Sequence, residues 1–243
     1  MHLKLKKSVF EYDHETLYSL LQCRKCFDQK VIDDCFIFCI TNGNVIALTY
    51  FISSNRVNLE KLDDKVNGLL HFALSSIENE YNSPRINEDK LERHNIVFNL
   101  LISSRGLNPG YVINGNTVLM RAIGNGLSIN IISNLLLTKM SRPEYINARN
   151  ESAYSMVATY YQFKSDTDKI CEMISDEIGN ILIELIEQNP EINSEVYHKI
   201  NSILQRNEIN PKRLDEMYFG VLNIAVSTGN LNLVKKNTKL SEI

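Results

Sequence analysis

Four cysteines near the N-terminus have the type and spacing that most readily suggest chemistry. Cys23 and Cys26 form a C-x-x-C pair, and Cys35 and Cys39 follow shortly after. Four thiolates at such spacing can close a tetrahedral zinc site. A cysteine that binds no metal is most often a small buried apolar residue. The spacing alone therefore leaves two interpretations, a zinc centre or cysteines that fill space in a core.

Nucleophilic catalysis requires a cysteine with a histidine base within hydrogen-bond reach. The chain has five histidines, which the sequence places on terminal, polar or turn segments: His2, His14, His71, His94 and His198. The Gly124-Asn125-Gly126 segment lacks the further glycine or the Lys-Ser/Thr pair of a phosphate-binding loop. We therefore predict a protein that is not an enzyme and that needs no cofactor.

A third group of candidate residues is aromatic and lies at Tyr154, Tyr160, Tyr161 and Phe163. Aromatic side chains dominate the energetics of both cores and interfaces. We expect part of this group to be buried and the rest to be exposed contact surface, with Tyr161 as the anchor of a binding site.

The element that must position these residues is a repeated one. Three segments share an apolar residue seven positions before a glycine and a small residue four positions before it; they end at Gly43, Gly126 and Gly229. A small residue lets a neighbouring helix approach, and a glycine supplies the left-handed stop of a helix. The pattern predicts a short helix, a tight turn and a second helix in each copy.

These copies resemble the ankyrin repeat. Residues 63–73 (DDKVNGLLHFA) are similar to the D-x-x-G-x-T-P-L-H-x-A opening of the family, and Val57-Asn58 and 146–148 (INA) are similar to its closing Val-Asn-Ala. Leu69 stands at the family's proline and Gly68 at its threonine. The resemblance implies an all-α fold, an ankyrin-repeat-like α-solenoid of helix pairs with short β-turn fingers. It also implies that His71 hydrogen-bonds backbone in the turn.

Aligning the copies on their small residue predicts the organisation of the chain. The aligned positions are Cys39, Ala73, Ala122, a fourth at Ala158 or Tyr160, and Ala225. We expect an N-terminal capping helix within 1–31 and four to five degenerate repeats over 32–243, with insertions near 78–94 and 190–216. In the second insertion, 194–206 is either an extra helix or a decayed repeat. The alignment also gives Cys39 a core position, which favours cysteines that pack over a zinc centre. We therefore predict no metal site.

In the ankyrin family, partner proteins are bound by the fingers and by the positions after the small residue of the first helix. Carried onto this sequence, the resemblance implies a concave binding face made of fourteen residues: Thr41, Asn42, Asp64, Lys65, Asn67, Ser75, Ser76, Asn114, Asn116, Asn125, Tyr160, Tyr161, Ser227 and Thr228.

Composition narrows the class of partner. The formal net charge is −3, which disfavours nucleic acid, and no apolar stretch is long enough to cross a bilayer. The odd number of cysteines favours reduced thiols in the cytoplasm.

We expect a monomeric protein-binding module or adaptor. The degenerate repeats also resemble effectors that intracellular bacteria or viruses deliver into host cytosol. The alternative is the targeting domain of an enzyme, with catalysis in the insertions or beyond Ile243.

Overall fold

The computed structural model describes residues 2–22, 27–66, 68–161, 164–188, 194–206 and 208–209. Over these residues the chain is helical apart from one short hairpin and its loops, which confirms the all-α class. The helices are α1 (His2–Phe10), α2 (His14–Gln22), α3 (Gln29–Asn42), α4 (Val45–Ser53), α5 (Leu59–Lys65), α6 (Leu69–Tyr81), α7 (Glu88–Ile102), α8 (Val118–Gly124), α9 (Ile129–Leu137), α10 (Ala153–Tyr160), α11 (Lys164–Glu187) and α12 (Glu195–Gln205). Strands β1 (Val112–Ile113) and β2 (Asn116–Thr117) form the hairpin.

The chain divides into two compact units, residues 1–142 and 143–243. In the first unit, α1, α3, α6 and α8 contact one another in succession, and we call them the first-helix layer. Helices α2, α4, α7 and α9 do the same and form the second-helix layer. Each first helix also packs on the second helix that follows it in this series. The first unit is therefore a succession of helix pairs in two layers.

The pairing of α3 with α4 shows how the sequence makes one such unit. Asp28 caps α3 by accepting a hydrogen bond from the backbone N–H of Lys30, at 3.2 Å. Gly43 ends the helix with a left-handed φ of 65°, and Asn44 then caps α4 by accepting from the N–H of Ala47, at 3.1 Å. Cys39 is fully buried. The helix, glycine turn and second helix predicted here are therefore present.

The N-terminus differs from the single capping helix that we expected. Two helices, α1 and α2, pack on each other there. Between them Tyr12 has a left-handed φ of 57°, and the carboxylate of Asp13 accepts from the N–H of Thr16, at 3.1 Å. Asp13 is a typical N-cap residue, so the chain stops one helix and starts another at this point.

The finger expected at the opening of the second copy is a helix instead. Asn58 caps α5 by accepting from the N–H of Lys61, at 3.0 Å, and Leu62 is buried on its inner face. Asp64 and Lys65 consequently lie on a helix rather than on a β-turn finger. In the insertion near 78–94, only 82–87 is a loop, because α6 continues to Tyr81 and α7 begins at Glu88.

In the second unit α11 packs on both α10 and α12. Ser152 caps α10 as Thr117 caps α8, each accepting a hydrogen bond from the N–H three residues later. With these caps aligned, Val157, which is buried, corresponds to Ala122, whereas Ala158 and Tyr160 are exposed. Both expected alignments of the fourth copy are therefore wrong. Residues 195–205 form a helix; the copy predicted around Ala225 lies outside the described residues.

Candidate functional site

A concave cavity of about 470 Å³ opens between α6, α8 and the β1–β2 hairpin. We call it the first-helix pocket; it is lined by Val66, Gly68, His71, Phe72, Ser75, Glu78, Ile113, Asn114, Asn116 and Arg121. The pocket combines half-buried apolar side chains with polar groups that converge on one arginine. This combination is typical of binding sites.

Arg121 organises the polar side of the pocket. Its guanidinium donates to both carboxylate oxygens of Glu78, at 2.6 Å each, and to the hydroxyl of Ser75, at 3.1 Å. Nη1 of Arg121 lies 3.0 Å from Nδ1 of His71, and the side-chain amide of Asn125 donates to Glu78, at 2.8 Å. These contacts join α6 to α8 and neutralise the charge of the arginine, because the carboxylate of Glu78 pairs with it directly.

The partners of His71 define its protonation. Nε2 lies 2.8 Å from the carbonyl oxygen of Tyr111, which can only accept. Nδ1 faces Arg121, which can only donate. The ring is therefore neutral with its proton on Nε2. Burial, at 2% exposure, lowers the pKa of His71, and the charge of Arg121 lowers it further. His71 was expected to hydrogen-bond backbone in the turn of the repeat opening; it does bond backbone, but its acceptor is the carbonyl of Tyr111 in the loop before β1.

The hairpin is held at the edge of the pocket by its turn and by the loop before it. Asn114 and Gly115 have left-handed φ angles of 52° and 78°, as a two-residue type I′ turn requires. The carboxylate of Asp63 accepts from the backbone N–H of Asn108, at 2.9 Å, and from that of Leu69, at 2.6 Å. It thereby caps α6, whose N-cap Gly68 has no side chain, and holds the loop that leads into β1. Burial raises the pKa of Asp63 although both N–H groups act against the rise.

Tyr111 ties the same loop to α5. Its hydroxyl donates to the carboxylate of Asp64, which raises the pKa of Tyr111 to about 12. Hydrogen bonds of Asp63, Asp64 and Tyr111 thus join the loop before β1 to helices α5 and α6. The pocket is consequently preformed, because its walls do not depend on a bound partner.

Several predicted contact residues lie on the first-helix layer or on the hairpin. Thr41 is exposed, whereas Asn42 and Ser75 are half-buried. Asn114 is exposed at the hairpin tip, and Asn116 lines the pocket. Asn125 is half-buried and is engaged with Glu78 and with the carbonyl of Arg121. The structure therefore brings Ser75, Asn114, Asn116 and Asn125 together around the first-helix pocket.

Other predicted contact residues are placed differently. Ser76 is only 8% exposed and faces the core. Tyr161 is 7% exposed, so the expected exposed anchor is wrong, because the chain leaves α10 at this residue and turns the ring inward. Tyr160 is 41% exposed, and its hydroxyl donates to Glu151 at 2.8 Å. Asp64 and Lys65 are exposed on α5. Asn67, Ser227 and Thr228 lie outside the described residues.

The sequence reasoning missed the Arg121–Glu78 pair. A signal was available, because Arg121 directly precedes the small residue Ala122, as Phe38 precedes Cys39 and Phe72 precedes Ala73. Phe38 and Phe72 are half-buried on the first-helix layer. A charged residue at a position otherwise held by phenylalanine needs a partner, and Glu78 lies one helix away.

The cysteines that the structure describes are consistent with packing. Cys35 and Cys39 are buried, and burial raises the pKa of the Cys35 thiol to about 11 and that of Cys39 further. Burial also raises the pKa of Cys171. Among the described residues no cluster of three or more histidine, cysteine or acidic side chains is arranged to hold a metal ion. Cys23 and Cys26 lie outside that part of the chain.

Comparison with known proteins gives no relative: no family model, no curated protein and no solved structure matches this chain. Within the described part of the chain, none of the helices is both long and apolar enough to span a membrane.

Proposed function

We propose that this chain is a protein-binding module, an ankyrin-like solenoid that binds a partner polypeptide at the first-helix pocket. The observation that carries the proposal is the preformed cavity of about 470 Å³ between two first helices and a projecting hairpin. The two layers of helix pairs in the first unit and the hairpin finger support the ankyrin-like arrangement. In such repeat arrays, a concave surface of this kind is the usual binding surface.

The chemistry of the pocket favours a neutral ligand group. Arg121 and Glu78 neutralise each other, and His71 carries no charge. Phe72 and Ile113 add apolar surface, and Asn114 adds an exposed amide. A phosphate or carboxylate would have to compete with Glu78 for Arg121. We therefore infer that the pocket receives an apolar or neutral polar side chain of the partner, with the hairpin tip contacting the adjacent backbone.

Peptide selection provides a test that does not require the natural partner. Peptides would be selected from a random display library on the full chain, and their affinities measured against matched variants. Asn114→Gly removes the tip side chain while keeping the turn, because glycine adopts left-handed φ freely. Ile113→Lys places a charge on the pocket wall. We expect each variant to weaken binding by about tenfold or more, as for a residue near the centre of an interface.

The control is Glu92→Ala, which removes an exposed side chain from α7 in the second-helix layer. It should leave both affinity and melting temperature unchanged. Selected peptides that bind the wild type and both pocket variants equally would place the binding surface elsewhere and overturn the proposal. Melting curves of the variants separate loss of contact from loss of fold.

A further inference from the structure

The hydrogen bonds of His71 leave no place for a second ring proton. Nε2 already donates to the carbonyl of Tyr111, at 2.8 Å. Nδ1 accepts from Nη1 of Arg121, at 3.0 Å. A proton on Nδ1 would set one N–H donor against another and place two positive charges in contact. The hydrogen bond from Arg121 to Nδ1 of His71 therefore exists only with the neutral ring.

Charged groups from several elements surround this pair. Arg121 on α8 and Glu78 on α6 act directly on the ring and in opposite directions. Helix α5 supplies Asp63 and Asp64, which are joined to the loop that carries Tyr111. The other helices packed on α6 are α3 and α7, whose Asp33 and Lys90 are paired with Lys65 and Glu80. Each of these pairs joins one cation to one carboxylate and so carries no net charge.

We propose that acidification remodels the first-helix pocket through His71: protonation of Nδ1 breaks the hydrogen bond from Arg121 and moves the guanidinium away from the imidazole ring. The inference rests on the proposed function, because it assigns a pH-dependent regulation to the same pocket. Its consequence is that a partner bound to the neutral pocket is released on the acid side of neutrality.

The change is local to one wall of the pocket. The bond from Nε2 of His71 to Tyr111 survives protonation, so the hairpin stays attached to α6. Arg121 also keeps Glu78 within reach, because that carboxylate accepts two of its N–H groups. Nη1 of Arg121 also donates to the backbone carbonyl of His71, at 3.3 Å, which protonation of the ring leaves in place. What is lost is the hydrogen bond from Arg121 to Nδ1, and with it the position of the guanidinium beside the ring. The pocket changes shape while the helix pair remains folded.

Nuclear magnetic resonance of the chain without a bound peptide tests directly whether protonation of His71 moves Arg121. The ¹⁵N signals of the His71 ring and the Nε–H signal of Arg121 would be followed from about pH 8 to about pH 5, the range in which histidine titrates. We expect the Nε2–H tautomer at the upper end. On acidification, Nδ1 should gain a proton and the Arg121 signal should move with the same apparent pKa. An Nδ1–H tautomer, or a titration of His71 that leaves Arg121 unmoved, overturns the proposal.

Two variants make the test specific. Arg121→Gln should raise the apparent pKa of His71, because the positive charge is removed and the amide oxygen can accept from a protonated Nδ1. Lys90→Gln is the matched control, since it removes a cation that acts on His94 and not on His71. It should leave the His71 titration unchanged. An equal effect of both variants on His71 would show a general charge effect and contradict the proposed contact.

Binding of a peptide selected near neutral pH completes the experiment. If one proton must leave His71 for binding, Kd should rise by up to about tenfold per pH unit as the pH falls below the pKa of His71 in the free chain. Arg121→Gln should flatten this dependence. A peptide bound in the pocket with the same affinity across the range overturns the pH-dependent regulation and leaves the proposed function intact. Peptides whose affinity at neutral pH is the same for the wild type and the pocket variants overturn the proposed function. The resonance titration of His71 and Arg121 then tests the protonation of the pocket by itself.

Discussion

Ala122 occupies a fully buried position on α8, in the layer where α8 packs on α6. A helix surface at such a position admits a neighbouring helix only if the side chain is small, and interiors are packed too densely to absorb extra methylene groups. The residues that occupy the aligned positions in α3 and α6 are Cys39 and Ala73, which are also small and buried. The close approach of successive first helices therefore depends on single small residues.

Ala122→Leu should destabilise the protein by about 1 to 3 kcal/mol through overpacking. The matched control is Ala158→Leu on α10, where the alanine is exposed and the larger side chain has room. Thermal and urea unfolding of the two variants measure the difference, and the control should stay within about 0.5 kcal/mol of wild type. A wild-type melting temperature for Ala122→Leu would contradict the burial of this helix face.

Asp63 shows how a residue of the repeat opening takes over a structural task. Gly68, the N-cap of α6, has a φ of 107° and no side chain that could cap the helix. Asp63, at 2% exposure, supplies the acceptor for the N–H of Leu69 from five residues before Gly68 and also binds the N–H of Asn108. A carboxylate that accepts two backbone N–H groups satisfies donors that burial would otherwise leave unpaired.

At the scale of an element, the β1–β2 hairpin depends on its two-residue turn. A Cβ added at Gly115 would meet no atom within 4 Å, so substitution there costs backbone strain alone. At Gly43, which ends α3 with a φ of 65°, an added Cβ would also come within 3.2 Å of the Cβ of Arg93. Substitution of the two glycines by alanine therefore separates the cost of backbone strain from the cost of a close side-chain contact.

We predict that Gly115→Ala lowers stability by about 1 to 2 kcal/mol, the cost of a left-handed φ for an L-residue. Gly43→Ala should cost more, since its Cβ also presses on Arg93, and Asn114→Gly should cost little. Melting temperatures rank the three variants, and amide exchange of residues 112–117 reports opening of the hairpin. A Gly115→Ala variant as stable as wild type, with an unchanged hairpin, would argue against the type I′ turn.

The sequence predicted those elements that are specified by residues close together in the chain. Gly43 and the small residue Cys39 predicted the α3–α4 pair. For 194–206 the sequence left an extra helix or a decayed repeat open, and the structure has the helix α12 there. The turn at Tyr12 and the helix α5 were not predicted, because the repeat alignment assigns no helix start to Asp13 and treats Asn58 as the end of a copy, whereas both residues cap helices. The alignment of α10 failed for the same reason, since its cap is Ser152.

The candidate site was predictable only in part. Asn114 and Asn116 follow from the finger pattern, and His71 from its resemblance to the repeat opening. A charge at Arg121, where the aligned copies have Phe38 and Phe72, indicates that a partner is needed. Glu78 lies 43 residues away in the chain, so no local spacing identifies it as that partner. The burial of Tyr161 depends on where the chain turns after α10. Whether these surfaces bind a partner stays a prediction, which the peptide experiment above tests.

At the scale of the whole molecule, buried titratable groups set the pH range of stability. His71 and His94 are each 2% exposed, and burial lowers the pKa of both. Nδ1 of His94 has no hydrogen-bond partner among the described residues, so a proton added there would have no acceptor to stabilise it. Cys35 and Cys39 are buried with raised pKa values. Each of these groups is held in its neutral form by the folded chain.

The sign of the pH dependence follows from which state binds more protons. An unfolded histidine titrates near about 6.5. Below that pH these histidines bind protons in the unfolded chain but not in the folded chain. The free energy of unfolding therefore decreases as pH falls through about 6.5 toward the lowered pKa values of His71 and His94. Above about pH 8.5 the unfolded cysteines ionise first, so stability falls again as pH rises. Stability should therefore be greatest between about pH 7 and pH 8.5.

Urea unfolding of the full chain at intervals from about pH 5 to pH 9 measures this profile, and the acid limb should approach about 1.4 kcal/mol per pH unit for each histidine. His94→Gln should reduce that slope, because one of the two buried histidines is removed. His198→Gln is the matched control, since His198 is exposed on α12, and it should leave the slope unchanged. A stability that does not vary between pH 7 and pH 5, or equal slopes in the two variants, would mean that these histidines accept protons in the folded chain as readily as in the unfolded one.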